Sequence, residues 1–453
     1  MTRDYCLPQP SGTPRRLTRA WLLLGVAALA LSGLYSILIV LARTPGVHAL
    51  LPAGDFFRTA LVVHVDLSVL IWFLAFGGAL WSLDSSERLP RLGWAALGLC
   101  ALGTLAIATA PAAGSANPLL NNYVPVLRQP HFLAGLLALG GGFTLLVARS
   151  LLAAPPLANP LGGSDALRIG LRAAAATALL AVAGFAGSYF SIGARAEGEG
   201  YYEYLFWGGG HVLQFTHTVL MLACWLWLAE AGGAPARIAP RAAAWLFALA
   251  ALPAAGAVPV YLAHEVLSVE HRVGFTALMK WGGLAAVPLG IAAASGLLSR
   301  RGGGASAPAR SALAASVLLF AAGGVIGFLI HGVNVVIPAH YHGSIVGVTL
   351  AFMGLTYLLL PQLGYAPVAP RLANIQAWVY GGGQLLHILG LAWSGGYGVQ
   401  RKTAGAAQGL ERLPEIAGMA LMGLGGLVAI IGGLLFIVVV LKSLWDARRG
   451  LSR

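Results

Sequence analysis

Apolar segments of about 20 residues recur along the whole chain, and each is long enough for one helix to cross a lipid bilayer. Only 9% of the 453 residues are charged, and the mean hydropathy is +0.79. A typical soluble domain has roughly a quarter of its residues charged. The chain is therefore predicted to be an all-α, polytopic membrane protein. About twelve transmembrane helices are expected, near residues 19–42, 57–82, 92–112, 131–153, 168–193, 204–230, 241–263, 273–298, 311–331, 341–361, 373–394 and 415–442.

Lysine and arginine are distributed unevenly between alternating loops, which orients the predicted helices. Nineteen basic residues lie in the termini and every second loop, against eight in the other loops. The positive-inside rule then places both termini in the cytoplasm, with tails at 1–18 and 443–453. We expect a bacterial-type cytoplasmic (inner) membrane. The distribution accounts for the net charge of +13 without a nucleic-acid partner.

No loop is long enough to form a separate domain, so residues 1–453 are predicted to be a single transmembrane catalytic domain. The three cysteines, Cys6, Cys100 and Cys224, form no CxxC or CxxCH motif. The chain is therefore not expected to carry a covalently attached c-type haem, a thiolate metal cluster or a disulfide framework.

Ionisable residues inside membrane spans are expected to be functional. His64 lies in the second predicted span, His211 in the sixth, His264 at the end of the seventh, and His340 and His342 at the start of the tenth. With the N-terminus inside, all five fall near the outer face. Helical residues advance by about 100° each, so residues 340 and 342 project from nearly opposite sides of one helix. Because imidazole is a natural axial ligand of haem iron, this helix could lie between two haems.

Four segments carry a resemblance to a known family. "PAHYHGSIVGVTLAFMGLTYLLLP" resembles the tenth span of the catalytic subunit I of the haem–copper oxidase superfamily. "FRTALVVHVDLSVLIWF" is similar to its second span and "YLFWGGGHVLQFTHT" to its sixth. "GGYGVQRKTAG", at 395–405, resembles the loop whose basic pair holds haem propionates. The resemblance covers most of the chain and the order of the spans.

The resemblance implies a haem–copper oxidase subunit I-like helical bundle, with two haems, which we expect to be b-type, and one non-haem metal. It implies that His64 and His342 are the axial ligands of a low-spin haem that relays electrons. His340 would be the proximal ligand of a high-spin haem. His211 and His264 match the first ligands of the non-haem metal. Arg401 and Lys402 match the propionate-binding pair.

One departure from the family concerns the third metal ligand. Family oxidases usually carry two adjacent histidines at the end of span seven, and here the pair is His264 and Glu265. Carboxylate oxygen suits iron better than copper(I), so Glu265 is the expected third ligand and iron is favoured, with copper as the alternative. Two other interpretations remain open: Glu265 could pair with Arg272 in a loop, and His271 could be the ligand.

A second departure concerns tyrosine. Oxygen reductases of this superfamily carry a redox-active tyrosine near the metal, often four residues after the first metal histidine, and here that position is Phe215. Tyr261 lies in span seven but does not match the known spacing either. Fast splitting of O–O needs this extra electron and proton, whereas coupling two NO molecules does not. Both departures favour the nitric-oxide-reductase-like branch.

The predicted function is therefore a membrane-bound nitric oxide reductase of a respiratory chain, an oxidoreductase of denitrification that converts two NO to N2O and water. Gln214 lies one turn from His211 and could hydrogen-bond bound NO or water. Thr276 and Lys280 lie one turn apart and could form a proton path. The electron donor would be a cytochrome c or cupredoxin-type partner subunit, or quinol. The alternatives are a terminal oxygen reductase (cytochrome or quinol oxidase), an NO dismutase and a transporter without haem.

Overall fold

The computed structural model describes residues 4–44, 54–113, 116–298 and 306–450. These ranges contain twelve long helices, numbered α1 to α12 in chain order, and two short strands. The helices are α1 (Gly12–Arg43), α2 (Phe57–Leu83), α3 (Pro90–Ala112), α4 (Pro130–Leu152), α5 (Gly163–Ile192), α6 (Gly198–Ala231), α7 (Pro240–Ala263), α8 (Val269–Leu298), α9 (Ala307–Phe328), α10 (Val336–Gln362), α11 (Pro370–Gly396) and α12 (Leu413–Arg448). Strands β1 (Pro118–Leu119) and β2 (Val126–Leu127) pair antiparallel.

The predicted all-α membrane architecture is confirmed. Eleven of these helices are long and apolar enough to cross a membrane. The twelfth, α11, has 27 residues but includes Asn374, Gln376, Gln384 and His387. Its position agrees with the span expected at 373–394.

The terminal helices extend beyond the predicted spans. Helix α1 begins at Gly12 and α12 ends at Arg448, so parts of the tails expected at 1–18 and 443–453 are helical. The physical reason is that these parts contain arginine and leucine, which are good helix formers, so each helix continues past the apolar segment that requires it.

Four of the spans are not regular α-helices throughout, and one of them, α3, ends in a 3-10 turn at Ala110–Ala112. Helix α2 contains a π-helical segment, Asp66–Ile71, that begins two residues after His64. Helix α7 has a 3-10 segment at Leu252–Gly256, and α8 has two, at Gly283–Ala286 and Ser295–Leu298. Such π-helical turns occur frequently at functional sites.

Two compact units are distinguished within the chain. The first comprises residues 1–28, 65–230 and 235–299, and the second residues 29–64, 231–234 and 300–453. The single catalytic domain expected across 1–453 stays a prediction.

The first unit includes the N-terminal tail and most of α2 to α8. The buried Tyr5 hydroxyl donates to the Ile238 carbonyl at 3.0 Å, which fixes the tail. The indole of Trp81 on α2 donates to the Leu171 carbonyl of α5 at 2.9 Å. Arg168 of α5 forms an ion pair with Asp84 at 3.0 Å, just after α2.

The second unit includes α9 to α12, and small residues allow its helices to approach closely. The backbones of Gly323 on α9 and Gly343 on α10 are in contact. Between α11 and α12, Gly390 packs against the backbone of Met422. In membrane proteins, such contacts bring backbone carbonyls of one helix within reach of side chains on the next. This is how His340 and His387, described below, obtain their partners.

Candidate haem and metal sites

The two histidines of α10 contact different neighbouring helices. His340 Nδ1 donates to the Gly323 carbonyl of α9 at 2.7 Å. The ring of His342 lies against His387 of α11, with 4.9 Å between ring centroids. The expectation that residues 340 and 342 project from opposite sides of one helix agrees with these contacts.

The ring of His340 is oriented by the hydrogen bond to Gly323. Because a carbonyl can only accept, Nδ1 carries the proton, and Nε2 is the nitrogen that can bind iron. Gly327, one turn further along α9, makes room for the ring, since a Cβ there would lie 2.6 Å from His340 Nδ1. The site therefore fits the proximal ligand of a haem.

His64 of α2 is oriented by Ser32 of α1. Its Nδ1 lies 2.9 Å from the Ser32 hydroxyl oxygen and 3.1 Å from the Ser32 carbonyl oxygen. The Ser32 hydroxyl also lies 3.1 Å from the carbonyl oxygen of His64. These contacts engage Nδ1, so Nε2 is the nitrogen that could bind a metal.

His387 is a candidate that the sequence did not assign. It is buried, and its Nδ1 donates to the Met422 carbonyl of α12 at 3.0 Å, so Nε2 is again the ligating nitrogen. His342 lies within electrostatic range of both His387 and His64. All three imidazoles belong to the second unit, and together they fit a bis-imidazole haem.

The predicted propionate-binding pair follows α11. Arg401 and Lys402 are both partly buried, and Lys402 has a left-handed backbone with a φ of 62°. Arg401 lies within electrostatic range of Tyr341, the residue between the two histidines of α10. Arg401 is therefore close to Tyr341 on α10, and the role of the pair in binding propionates stays a prediction.

In the first unit, His211 is buried on α6 with 4% of its surface exposed. Its Nδ1 donates to the Trp207 carbonyl at 2.7 Å, one turn earlier, which leaves Nε2 to bind a metal. The ring of Tyr123 packs against it at 4.7 Å, centroid to centroid. Gly210 allows this contact, because any side chain there would collide with the Tyr123 ring.

His271 of α8 is the second buried imidazole of this unit. It is 0% exposed, and neither of its ring nitrogens has a hydrogen-bond partner. It lies within electrostatic range of both His211 and His264. Buried polar atoms normally have a partner, so this ring fits a metal ligand.

Glu265 lies on the surface and not beside His211. Its side chain is 79% exposed and lies 3.5 Å from an Arg195 nitrogen. Arg272, its expected alternative partner, is 3.9 Å from Glu203 instead. Helix α7 ends at Ala263 and His264 has an extended backbone, so the His264–Glu265 pair has left the helix. Both residues are exposed, and Glu265 as third ligand stays a prediction.

Among the described residues, no group of three or more His, Cys, Asp or Glu side chains is close enough to hold a metal ion. His271 lies within electrostatic range of His211 and of His264, but these three side chains are not close enough together to hold a metal ion. His264 and Glu265 are exposed, whereas His211 and His271 are buried. Water therefore competes less for the ring nitrogens of His211 and His271.

Tyr123 was missed by the sequence reasoning because it lies in the loop between α3 and α4. The turn between β1 and β2 is anchored by Glu203 of α6, which accepts from the Asn122 backbone N–H at 2.8 Å. Glu203 precedes His211 by two helical turns, so the anchored turn places the Tyr123 ring beside the imidazole. Burial raises the pKa of the Tyr123 phenol well above 10, with a further contribution from the Glu203 carboxylate.

Gln214 of α6 lies beside the Tyr123 hydroxyl. Its amide nitrogen is 3.5 Å from the Tyr123 hydroxyl, at the limit of a hydrogen bond. It is partly buried and lies on the His211 side of α6. The role expected for Gln214, a hydrogen bond to bound NO or water, stays a prediction.

Tyr261 of α7 packs against His271, with 4.9 Å between ring centroids. Its hydroxyl donates to the Gly184 carbonyl at 2.9 Å and is 2.8 Å from the Ser188 hydroxyl. The predicted proton-path residues Thr276 and Lys280 lie elsewhere, with exposed side chains on α8. The Thr276 hydroxyl donates to the Arg272 carbonyl. A path through these two residues stays a prediction.

Oriented imidazoles on membrane helices are characteristic of a membrane-bound redox protein that holds haem. The family model for cytochrome c and quinol oxidase polypeptide I matches residues 16–435. The chain belongs to this family. It is an integral membrane oxidoreductase of the haem–copper oxidase superfamily, which implies haems, a metal centre, and an electron donor such as cytochrome c or quinol.

Two relatives and one solved structure are similar to the chain over most of its length. An uncharacterized protein of Rickettsia prowazekii (strain Madrid E) is 30% identical, over 95% of this chain and 96% of the relative. An uncharacterized protein of Aquifex aeolicus (strain VF5) is 29% identical, over 76% and 85%. The cryo-EM structure of a heme-copper terminal oxidase dimer has the same fold, with a TM-score of 0.69, 16% identity, and coverage of 96% and 84%.

Proposed function

We propose that the protein is the catalytic subunit of a membrane-bound nitric oxide reductase, which converts two NO, two electrons and two protons to N2O and water. His64 and His342 would hold a low-spin haem, and His340 a high-spin haem. His211 and His264 would hold the non-haem metal, preferably iron, together with Glu265 or His271. Both haems would be b-type.

The observation that carries the choice of NO concerns the two tyrosines. A tyrosine that supplies an electron must also lose its proton, and so needs a base at its hydroxyl. The Tyr261 hydroxyl meets a backbone carbonyl and a serine, and the Tyr123 hydroxyl meets a glutamine amide. None of these groups is a base near pH 7. NO reduction requires no such tyrosine, whereas rapid oxygen reduction does.

Oxygen reduction is the second candidate, and a specific contact favours it. The rings of Tyr261 and Tyr123 lie 4.9 Å from His271 and 4.7 Å from His211, close enough for electron transfer to a group on those imidazoles. The identity of the third ligand bears on the same choice. His271 is buried and has two unpartnered nitrogens, whereas Glu265 is exposed. An all-imidazole set is compatible with copper, and a set with Glu265 favours iron.

When bound, the haems supply electron transfer and substrate binding, and the metal supplies a Lewis acid. The chain's own residues have narrower tasks. Backbone carbonyls fix the His340 and His211 rings through Nδ1. The Gln214 amide can donate to a polar species near His211. Tyr123 stays protonated because burial and Glu203 oppose ionisation, so it closes this side of the site and can act as a hydrogen-bond donor.

The remaining parts of the proposal concern the setting. The electrons would come from a cytochrome c or cupredoxin-type partner subunit, or from quinol. The membrane would be a bacterial-type cytoplasmic membrane with both termini in the cytoplasm, as the distribution of arginine and lysine indicates.

The deciding experiment is anaerobic turnover of the purified, haem-loaded protein with a chemical reductant. NO consumption with one N2O formed per two NO is expected, with little consumption of O2 in a parallel oxygen-electrode assay. His340→Ala should abolish activity, and His331→Ala, at an exposed position of the same unit, should not. Rapid O2 consumption with copper in the metal analysis would establish the oxygen reductase instead. Release of O2 from NO without reductant would indicate a dismutase. Absence of haem absorbance from the visible spectrum would indicate a transporter.

A further inference from the structure

The last residue of α1, Arg43, places a partly buried cation next to the predicted low-spin haem site. Nε and Nη2 of Arg43 are inaccessible to solvent and have no hydrogen-bond partner. Within the described part of the chain, no carboxylate lies within ion-pair distance of this guanidinium. Burying a guanidinium without an anion is costly, so an anion is expected at this position.

The packing of α1 on α12 determines where this guanidinium lies. A Cβ on Gly426 would lie 3.0 Å from the Val40 side chain and 3.2 Å from His387 Nδ1. Gly423, one turn earlier on α12, contacts the Thr44 side chain, and the Thr44 hydroxyl donates to the Val40 carbonyl at 2.8 Å. The end of α1 is therefore held against α12 at the level of His387.

Arg43 interacts electrostatically with three residues around the predicted low-spin haem site. It lies within electrostatic range of Tyr341, His342 and His387. Tyr341 is also within electrostatic range of Arg401 of the predicted propionate-binding pair. Arg43 and Arg401 thus reach the same part of α10 from two different segments of the chain.

A porphyrin carboxylate has the chemistry that this position requires. A guanidinium presents two parallel N–H groups that match a carboxylate, and Arg43 has Nε and Nη2 available for that geometry. A haem held by His64 and His342 would bring its peripheral carboxylates into this unit. We propose that Arg43 binds a propionate carboxylate of the low-spin haem, as an additional cofactor-binding residue beside Arg401 and Lys402. This inference rests on the proposed haem at His64 and His342.

A cation at this position also affects the redox equilibrium. Ferrous haem carries one positive charge fewer than ferric haem, so a nearby guanidinium favours the reduced form. Loss of that charge should therefore favour the oxidised form. The expected change is roughly tenfold in the reduced-to-oxidised ratio, the size of one charge-assisted hydrogen bond. For a one-electron couple, tenfold corresponds to a fall of about 59 mV.

The test is a redox titration of the low-spin haem absorbance in the full chain and three variants. Arg43→Gln removes the charge, and Arg43→Lys keeps the charge but lacks the two parallel N–H groups of a guanidinium. Arg58→Gln is the control, because it removes an exposed charge from the same unit. The expected order of midpoint potentials is wild type and Arg58→Gln highest, Arg43→Lys intermediate and Arg43→Gln lowest. Haem content per chain is measured in every sample.

The outcomes separate this inference from the proposed function. A wild type without a low-spin haem overturns both. Two haems in the wild type, with unchanged potential and haem content in Arg43→Gln, overturn only the role of Arg43. Should Arg43→Gln lose the low-spin haem, retention of that haem in Arg43→Lys supports charge-dependent binding. Equal loss of both haems in Arg43→Gln and Arg43→Lys, with reduced thermal stability, assigns Arg43 a purely structural role and refutes the inference.

Discussion

The substitution Gly327→Ala tests whether the His340 ring holds a haem in the position that α9 gives it. A methyl group at residue 327 would lie 2.6 Å from His340 Nδ1 and 2.8 Å from Cε1, where ordinary contacts begin at 3.4 Å. The ring must therefore move by about 0.8 Å. Both close atoms belong to the imidazole, so movement of the ring is the expected response.

The movement weakens the hydrogen bond that orients the ring. His340 Nδ1 is 2.7 Å from the Gly323 carbonyl oxygen, and a shift of this size away from α9 lengthens that bond beyond the usual range. Loss of such an orienting partner typically lowers metal affinity by about 10- to 100-fold. We expect Gly327→Ala to lose the high-spin haem selectively and to lose catalysis with it.

The assay is the haem content per chain, with reduced-minus-oxidised and carbon monoxide difference spectra. Gly324→Ala, on the same helix, is the matched control, since a Cβ there would meet no atom of the packed neighbours within 4 Å. The variant should retain about one haem, without carbon monoxide binding, and the control should retain two. If Gly327→Ala keeps both haems and normal carbon monoxide binding, the assignment of His340 is refuted.

Three further predictions concern other sites. His342→Ala should convert the low-spin spectrum to high-spin or lose that haem, whereas His387→Ala should leave the spectrum low-spin; the reverse result would make His387 the ligand. Tyr261→Phe should leave NO reduction within about twofold, since NO chemistry needs no phenol, and a loss of 100-fold or more in O2 consumption would favour the oxygen reductase. Burial raises the pKa of Asp84 to about 6 despite Arg168, so its ionisation should cost the folded state about 3 kcal/mol. Because the folded-state pKa is the higher one, this cost appears as pH rises from about 4 to 6, and thermal melts of Asp84→Asn should lack that loss relative to wild type.

The spans and the α10 histidine pair could be predicted from the sequence because both depend on local rules. Bilayer thickness sets the length of a spanning helix, so the apolar segments locate the helices. The advance of about 100° per residue sets the directions of His340 and His342, which indeed contact α9 and α11 respectively. Neither prediction requires knowledge of how the helices pack against one another.

The surroundings of His211 could not be predicted in the same way. Spacing along α6 and α7 was the only available criterion for a tyrosine; it led to Phe215, which has no hydroxyl, and Tyr261 did not match it. Tyr123 reaches the imidazole through a turn anchored by Glu203, 81 residues away from Asn122. A contact that depends on a turn and a distant carboxylate leaves no periodic signal.

The choice between Glu265 and His271 as metal ligand depends on where α7 ends, and residue spacing alone does not reveal a helix end. His264 and Glu265 read as adjacent metal ligands only if both project from one regular structure. The helix stops at Ala263, and His264 has φ −133° and ψ 138°, so both side chains lie at the surface. His271 enters the interior because α8 begins anew at Val269, with Ser268 accepting from the His271 backbone N–H. The serine before the helix was visible in the sequence and could have indicated this restart.

The orientation of the imidazoles depends on groups that no sequence pattern distinguishes. Backbone carbonyls of Gly323, Trp207 and Met422 accept from Nδ1 of His340, His211 and His387, and every residue type supplies a carbonyl. What differs between positions is how closely two helices approach, and at His340 and His387 that distance is set by glycines on the facing helix. The choice of ligating nitrogen is therefore encoded partly in glycines that carry no ligating group themselves. For this reason Gly327 and Gly426 should tolerate substitution less well than exposed polar residues much nearer in sequence to the ligands.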